Sequence, residues 1–325
     1  MEVKWLFILF TIYVVFIRNS HEISEIDLNT TISQQRRRVL LTPQIDLTLD
    51  VIIDGEDGLP PVIILPSSQR GSNEFNHVAE RIAKAGYLVL RPQPRGIGNS
   101  RGSLENLTLH ILANDIAITI RELGRGYPAV IIGHAFGHYV ARVTDLDHPH
   151  LVRGIVVAAG EQQYQNDSSL TVSLERVANA TIPEDERLVH LYHAFFAPNS
   201  NASVWLTGWH PELRPAYRSA GKIPSKTEWW PVSHSPILDL QAAEDPWRPF
   251  WSRNELKDVL NSLVTVRVIE AASHALFPEQ PEQVADAIID WMKTTVSNSN
   301  AFVNTNPFMK NFSAFFLSIL FFLLR

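Results

Sequence analysis

The 325-residue chain contains no cysteine. Disulfides, cysteine-ligated zinc and a thiol nucleophile are therefore excluded. A chain of this length buries a core large enough to fold without covalent staples. Positive charge is also in short supply: 28 Lys and Arg stand against 34 Asp and Glu, a net charge of −6 with a pI near 6.1. That balance carries no electrostatic footprint for nucleic acid. Arg36-Arg37-Arg38 is a short basic cluster and reads as solvated surface. Long apolar runs are lacking as well. Trp5–Ile17 and Phe312–Leu324 have 13 residues each, short of the ~20 that a membrane-spanning helix needs. With 45% hydrophobic and 19% charged residues, the chain reads as globular.

The two short apolar runs carry the expectation for localisation. Trp5–Ile17 follows Lys4 and is closed by Arg18-Asn19-Ser20. This suits the core of a secretory signal peptide over residues 1–20, with an uncleaved N-terminal anchor as the alternative. Small residues at 297–301, a polar spacer and the tail from Phe312 form the pattern of a GPI-attachment signal over 297–325. A plain membrane tail, or no anchor at all, is the alternative. Asn-x-Ser/Thr triplets at Asn29, Asn106, Asn166, Asn179 and Asn201 fit a secretory route as glycosylation sites. Together these features predict a monomeric glycoprotein on the extracellular face of the plasma membrane, attached by a lipid anchor or a short tail.

Between the ends, periodicity alternates. Strand patterns fall at Ile45–Ile53, Val62–Leu65, Leu88–Leu90, Ala129–Ile132, Gly154–Ala158, Ile237–Leu240 and Val264–Ile269. Helical spacing falls at Phe75–Ala85, Leu109–Leu123, His138–Asp145, Glu255–Leu260 and Glu282–Met292. Such alternation predicts an α/β fold, a mostly parallel sheet with helices on both faces. From 160 to 231 the alternation breaks into a partly helical, aromatic-rich stretch. It reads as a cap inserted over the carboxyl ends of the strands, where open α/β sheets bind ligands. The core is then 45–159 plus 232–296. No internal repeat is seen.

The stretch Ile131-Ile132-Gly133-His134-Ala135-Phe136-Gly137 has the layout of a strand, a sharp turn and a helix. Two glycines let helix and strand approach closely around one strained residue, the arrangement called a nucleophile elbow. The strained residue here is Ala135, which has nothing to attack with. After the strand Ile237–Leu240 comes Asp245, and after Val264–Ile269 comes His274. The order elbow, acid, histidine is that of the α/β-hydrolase triad. From about Asp46 to Met292 the chain resembles an α/β-hydrolase of the epoxide-hydrolase and ester-hydrolase branch, with alanine in place of the nucleophile serine. The resemblance implies that His274 is the catalytic base, that Asp245 orients it, and that Ala135 occupies the nucleophile position. Inherited structural residues at loop ends are the plainer reading of the same pair.

That family usually has His-Gly after the strand that here is Val62–Leu65, whereas this chain has Pro66-Ser67-Ser68-Gln69. The backbone N–H of Ser68 or Gln69, with that of Phe136, still suits an oxyanion hole, because backbone donors are indifferent to side chain. Pro66 has no N–H to give. Ser67 or Ser68 as a displaced nucleophile is the less favoured alternative to their capping a helix. His134, Trp205, Trp209, Trp229 and Trp230 are expected in the substrate pocket, with Trp247 and Trp251 beside the acid loop. His134 and His138 have a spacing that binds metal on a helix, yet no carboxylate or third histidine is near in sequence. No metal and no other cofactor is expected, and the expected partner is a small-molecule substrate or ligand. His148 and His150 read as solvated loop residues.

Three functions follow. In the first, the His274–Asp245 dyad activates water, or takes a proton from an acidic substrate, without an acyl-enzyme. In the second, the chain is a catalytically dead pseudoenzyme that binds a small apolar ligand or a protein partner. In the third, Ala135 is an engineered replacement in an ordinary serine hydrolase.

Overall fold

Short, wholly apolar strands dictate a sheet covered on both sides. In the computed structural model, which describes residues 24–26, 36–164 and 167–296, that sheet has nine strands among the described residues. In chain order they are β1 (Ser24–Ile26), β2 (Arg37–Gln44), β3 (Leu47–Asp54), β4 (Pro61–Leu65), β5 (Leu88–Pro92), β6 (Ala129–His134), β7 (Val152–Ala158), β8 (Ile237–Ala242) and β9 (Val264–Ile269). Their spatial order is β1-β2-β3-β5-β4-β6-β7-β8-β9. The pairs among β1, β2, β3 and β5 in that order are antiparallel, and all pairs from β5 to β9 are parallel. The expected α/β fold with a mostly parallel sheet is therefore the one observed. Both terminal segments, 1–20 and 297–325, and the triplets at Asn29 and Asn166 lie outside the described residues. Among those described, no helix is long and apolar enough to cross a membrane.

Strand alternation splits each buried run between two cores. In β4, Ile63 and Leu65 join one apolar cluster while Val62 and Ile64 join the other. Helix α1 (Asn76–Lys84) covers the second face with Val78, Ala79 and Ile82. Helices α2 (Leu109–Glu122) and α3 (Phe136–Asp147) cover the first. Thr108 starts α2 by accepting the Ile111 N–H at 3.2 Å, satisfying one of the donors orphaned at a helix start.

Four helices, α4 (Ser168–Ala178), α5 (Glu184–Ala194), α6 (Arg214–Ala220) and α7 (Lys226–Trp229), lie between β7 and β8. They form the cap expected after the strand that follows the elbow helix. A separate apolar cluster holds α4 and α5 together through Leu170, Val177 and Leu191. Trp247 and Ala275 join that cluster from the loops after β8 and β9, so the cap is seated on those loops. The chain closes with α8 (Glu255–Leu260), α9 (Leu276–Glu279) and α10 (Pro281–Trp291). Helix α10 puts Val284, Ala285 and Ile288 against the same face as α1.

The amino-terminal edge corrects two expectations. The strand pattern at Ile45–Ile53 begins instead at Leu47, and Ile45 is fully exposed in the turn after Gln44. Strand β2 was hidden by its arginines, although Val39 and Leu41 alternate into the core. The arginine cluster is not simply solvated. Pairing of β2 with β3 brings Arg38 Nε to 3.1 Å from Asp50 and Arg36 Nε to 2.7 Å from Asp54, both acids being buried. Arg91, fully buried on β5, holds the other oxygen of the same carboxylate, Asp54 Oδ2, with Nε at 3.0 Å and Nη2 at 2.6 Å. Burial pulls the Arg91 guanidinium down to about 10, still charged at neutral pH.

Replacing Arg91 by Met leaves Asp54 in the interior with one partner fewer. The variant is expected to lose about 3–5 kcal/mol of stability, read as a lower urea midpoint at an unchanged denaturant slope.

Candidate active site

Strand β6 ends at His134, α3 begins at Phe136, and Ala135 between them has φ +46° and ψ −118°. A non-glycine residue at positive φ stores about 1–3 kcal/mol of strain, held here by its surroundings. Ala135 N–H donates to the Ala158 carbonyl at 3.0 Å, and its own carbonyl accepts from His138 N–H at 3.0 Å. The glycines are required by distance. A Cβ on Gly133 stands 2.4 Å from the His138 Cα, and one on Gly137 stands 2.5 Å from the Leu65 carbonyl oxygen. The side chain presented at the top of the turn is a methyl group.

Asp245 and His274 come from separate loops and meet. His274 Nδ1 is 3.0 Å from Asp245 Oδ2 and 3.3 Å from Oδ1. Asp245 also accepts the Trp247 N–H at 2.9 Å. Both side chains are buried, and the His274 ring lies among Trp247, Phe195 and His134 with centroids 5.5–5.7 Å away. The histidine loop is pinned from three sides. Ala275 N–H donates to Phe195 O at 2.8 Å, Ser273 N–H to Glu279 at 2.7 Å, and His134 Nε2–H to the His274 carbonyl at 2.8 Å.

A hollow opens above Ala135, bounded by Ser68, Phe136, Trp205, Trp209 and His274. Ser67 and Trp247 also reach it. Other expected wall residues sit elsewhere. Strand alternation puts His134 on the same face as Ile132, buried against Phe75 and Phe277, so it buttresses the His274 loop. Trp229 and Trp230 are buried in the core beside Arg142, whose Nη2 donates to both their carbonyls. Gln69, at φ +68°, is buried behind the hollow, and its carbonyl accepts the His210 N–H at 2.9 Å. Trp251 is exposed. Phe136, as the first residue of α3, has an N–H with no partner inside its helix.

Three polar side chains at the hollow were not anticipated. The guanidinium of Arg70 lies 4.5 Å from the Trp205 ring and 4.8 Å from Trp209, and it is paired with Glu74 at 2.9 Å. Its Nη1 donates to the Thr207 carbonyl at 2.9 Å, and its backbone bridges to Trp209. Glu161 accepts from the Tyr139 hydroxyl and from Lys226 Nζ at 2.9 Å. Burial, and then the Glu161 carboxylate, push Tyr139 well above the ordinary range, so it stays protonated as a donor. Glu161 is readable in hindsight, because it stands just past the carboxyl end of β7, the edge where such sheets bind ligands. Of the described triplets, Asn106, Asn179 and Asn201 are all exposed. No cluster of metal-ligating side chains occurs among the described residues.

Residues 63–287 match the model of the alpha/beta hydrolase family. The chain belongs to that family. Within it, the chain is similar to epoxide hydrolase A of Mycobacterium tuberculosis, 31% identical over 33% of this chain and 34% of that protein. It is also similar to an sn-1-specific diacylglycerol lipase of Danio rerio, 32% identical over 35% of each. The chain thus spans about a third of the length of these curated relatives. A thermophilic esterase from Thermogutta terrifontis has the same fold, with a TM-score of 0.62 and 19% identity over 84% of this chain and 98% of that one.

The buried imidazoles give the site a pH dependence. Burial, and then the nearby His274, bring His134 down to about 3, and burial holds His138 well below its ordinary value of 6.5. Both are neutral when folded and gain a proton on unfolding in acid. Their contribution is therefore full above pH 6.5 and is lost as the pH falls, for His134 down to about 3. The loss is about 1.4 kcal/mol per pH unit for each histidine. Urea unfolding between pH 7.5 and 4.5 is expected to show a shallower pH slope in His134→Gln and in His138→Gln than in the wild type.

Proposed function

We propose that this protein is a hydrolase of a small apolar, ester-like substrate in which His274, oriented by Asp245, activates water directly. The observation that carries this reading is the 3.0 Å contact between His274 Nδ1 and Asp245 Oδ2 at the wall of a hollow floored by Ala135. That contact fixes Nδ1 as the protonated nitrogen and leaves Nε2 as the base, as in a catalytic triad. At the family's elbow, which normally carries Ser, Asp or Cys, stands the methyl of Ala135. With no acyl-enzyme available, water attacks the acyl carbon and Nε2 takes its proton. The carbonyl oxygen becomes an oxyanion received by the N–H groups of Phe136 and Ser68. As the tetrahedral intermediate collapses, the ester C–O bond breaks and the imidazolium returns the proton to the leaving alcohol.

The aromatic wall supports an apolar substrate. The partial relatives are named for an epoxide and a diacylglycerol, which agrees in kind. The two short apolar end segments support a setting at the cell surface. A second reading is favoured by the methyl group itself: a pseudoenzyme that retains a ligand in the hollow, or binds a protein partner, without turning anything over.

Wild type, Ala135→Ser and His274→Ala, assayed with short p-nitrophenyl esters and a fluorophosphonate probe, separate the two. Slow wild-type turnover that falls by about 10²-fold in His274→Ala is expected, the usual share of a general base. Ala135→Ser is expected to gain probe labelling and a covalent route. Turnover that survives His274→Ala unchanged sinks the dyad. Silence of the wild type towards every ester, with ligand still bound, leaves the second reading.

A further inference from the structure

Beneath the oxyanion loop lies a second, narrower hollow that none of the chemistry above uses. It opens between the amino-terminal half of the antiparallel β3, the carboxyl ends of β4 and β5, and the helices α2 and α3, and Tyr217 of the cap closes it. Ser67 and Phe136 belong to its wall and also to the wall of the hollow above Ala135. The Phe136 ring leans on Tyr139 and Tyr217 with centroids 5.4 and 5.7 Å away. The two spaces are thus neighbours divided by one aromatic side chain.

The chemistry of the second wall selects its occupant. Leu49, Leu65, Leu112, Ile116 and Val140 supply apolar surface, and Pro66, Pro92 and Pro94 have no N–H to offer. Apart from Ser67 at the seam with the first hollow, the polar side chains present are engaged with one another or with neighbouring residues. Arg95 holds Asp115 through Nε at 2.7 Å and Nη2 at 2.9 Å, and Tyr217 O–H donates to the Arg95 carbonyl at 3.0 Å. Gln93 accepts the Ser72 N–H at 2.9 Å and donates to Asn73 at 3.2 Å. A polar ligand group placed there loses its water and gains little in exchange, whereas an alkyl group gains burial.

We propose that this chamber takes the apolar arm of the substrate, and that Phe136 is the specificity-determining residue that divides it from the reaction chamber. The inference rests on reading the main hollow as the substrate site. The occupant is an unbranched alkyl or acyl chain attached to the reacting carbonyl, entering along the seam between Ser67 and Phe136.

Unreactive 2-alkanones of rising chain length, titrated against the full-length protein by calorimetry, test this without requiring turnover. Affinity in the wild type is expected to rise about fourfold per added methylene, the equivalent of ~0.8 kcal/mol, and then to level off once the chamber is full. Ile116→Phe, which fills the chamber from α2, is expected to abolish that rise while binding of the shortest ketone is kept. Val140→Leu, a milder filling from α3, is expected to bring the plateau to a shorter chain. Phe136→Ala is expected to extend it to longer and branched ketones. Thermal unfolding identifies any variant that fails to fold, and Val140→Leu then carries the test. An unchanged chain-length slope in a folded filling variant overturns the proposal, as does absence of binding at every length. Ester turnover with no chain-length preference removes the chamber alone. Chain-length-dependent binding without turnover removes the dyad chemistry and leaves the chamber standing.

Discussion

A single hydrogen bond joins the two halves of the site: His134 Nε2–H to the backbone carbonyl of His274, 2.8 Å long and wholly buried. His134 ends the strand that carries the elbow, and His274 sits on the loop after the last strand, so the bond sets their separation. It requires the His134 proton on Nε2, and burial keeps the ring neutral with that proton in place. The elbow in turn exists because Gly133 and Gly137 permit backbone contacts that any Cβ obstructs. The position of the methyl thus follows from close packing around one strand end, and the same strand end holds the loop that carries the imidazole.

Much of the fold was legible because it is written in runs. Pro61–Leu65 and Ala129–His134 are buried along their whole length, and the apolar character of the first and of Ala129–Ile132 in the second is what a covered parallel sheet requires. Strand β2 was not legible, since Arg36, Arg37 and Arg38 look like solvent until pairing with β3 sets them against Asp50 and Asp54. The misplaced start of β3 has the same origin. Ile45 is apolar but stands in a hairpin turn, and no periodicity reports that.

In the site, order along the chain located Asp245 and His274, because each follows a strand whose carboxyl end faces the same edge. Composition failed for the tryptophans. Trp205 and Trp209 face the hollow whereas Trp229 and Trp230 fill the core, and both pairs lie in the same aromatic-rich stretch. Arg70, Tyr139 and Glu161 come from three parts of the chain and converge only once the cap is seated. The family match fixes the frame in which the methyl of Ala135 and this converging set are placed.

The clasp around Arg70 has a mechanical consequence. The loop that carries Ser68 is bridged to the cap at Trp209, and the guanidinium is wedged between two indoles and tied to the Thr207 carbonyl. Roof and floor are therefore riveted on that side. A molecule that presses on the indoles pushes on the backbone at Arg70, in the same loop as Ser68, so the size of what fills the roof bears on the proposed oxyanion donor.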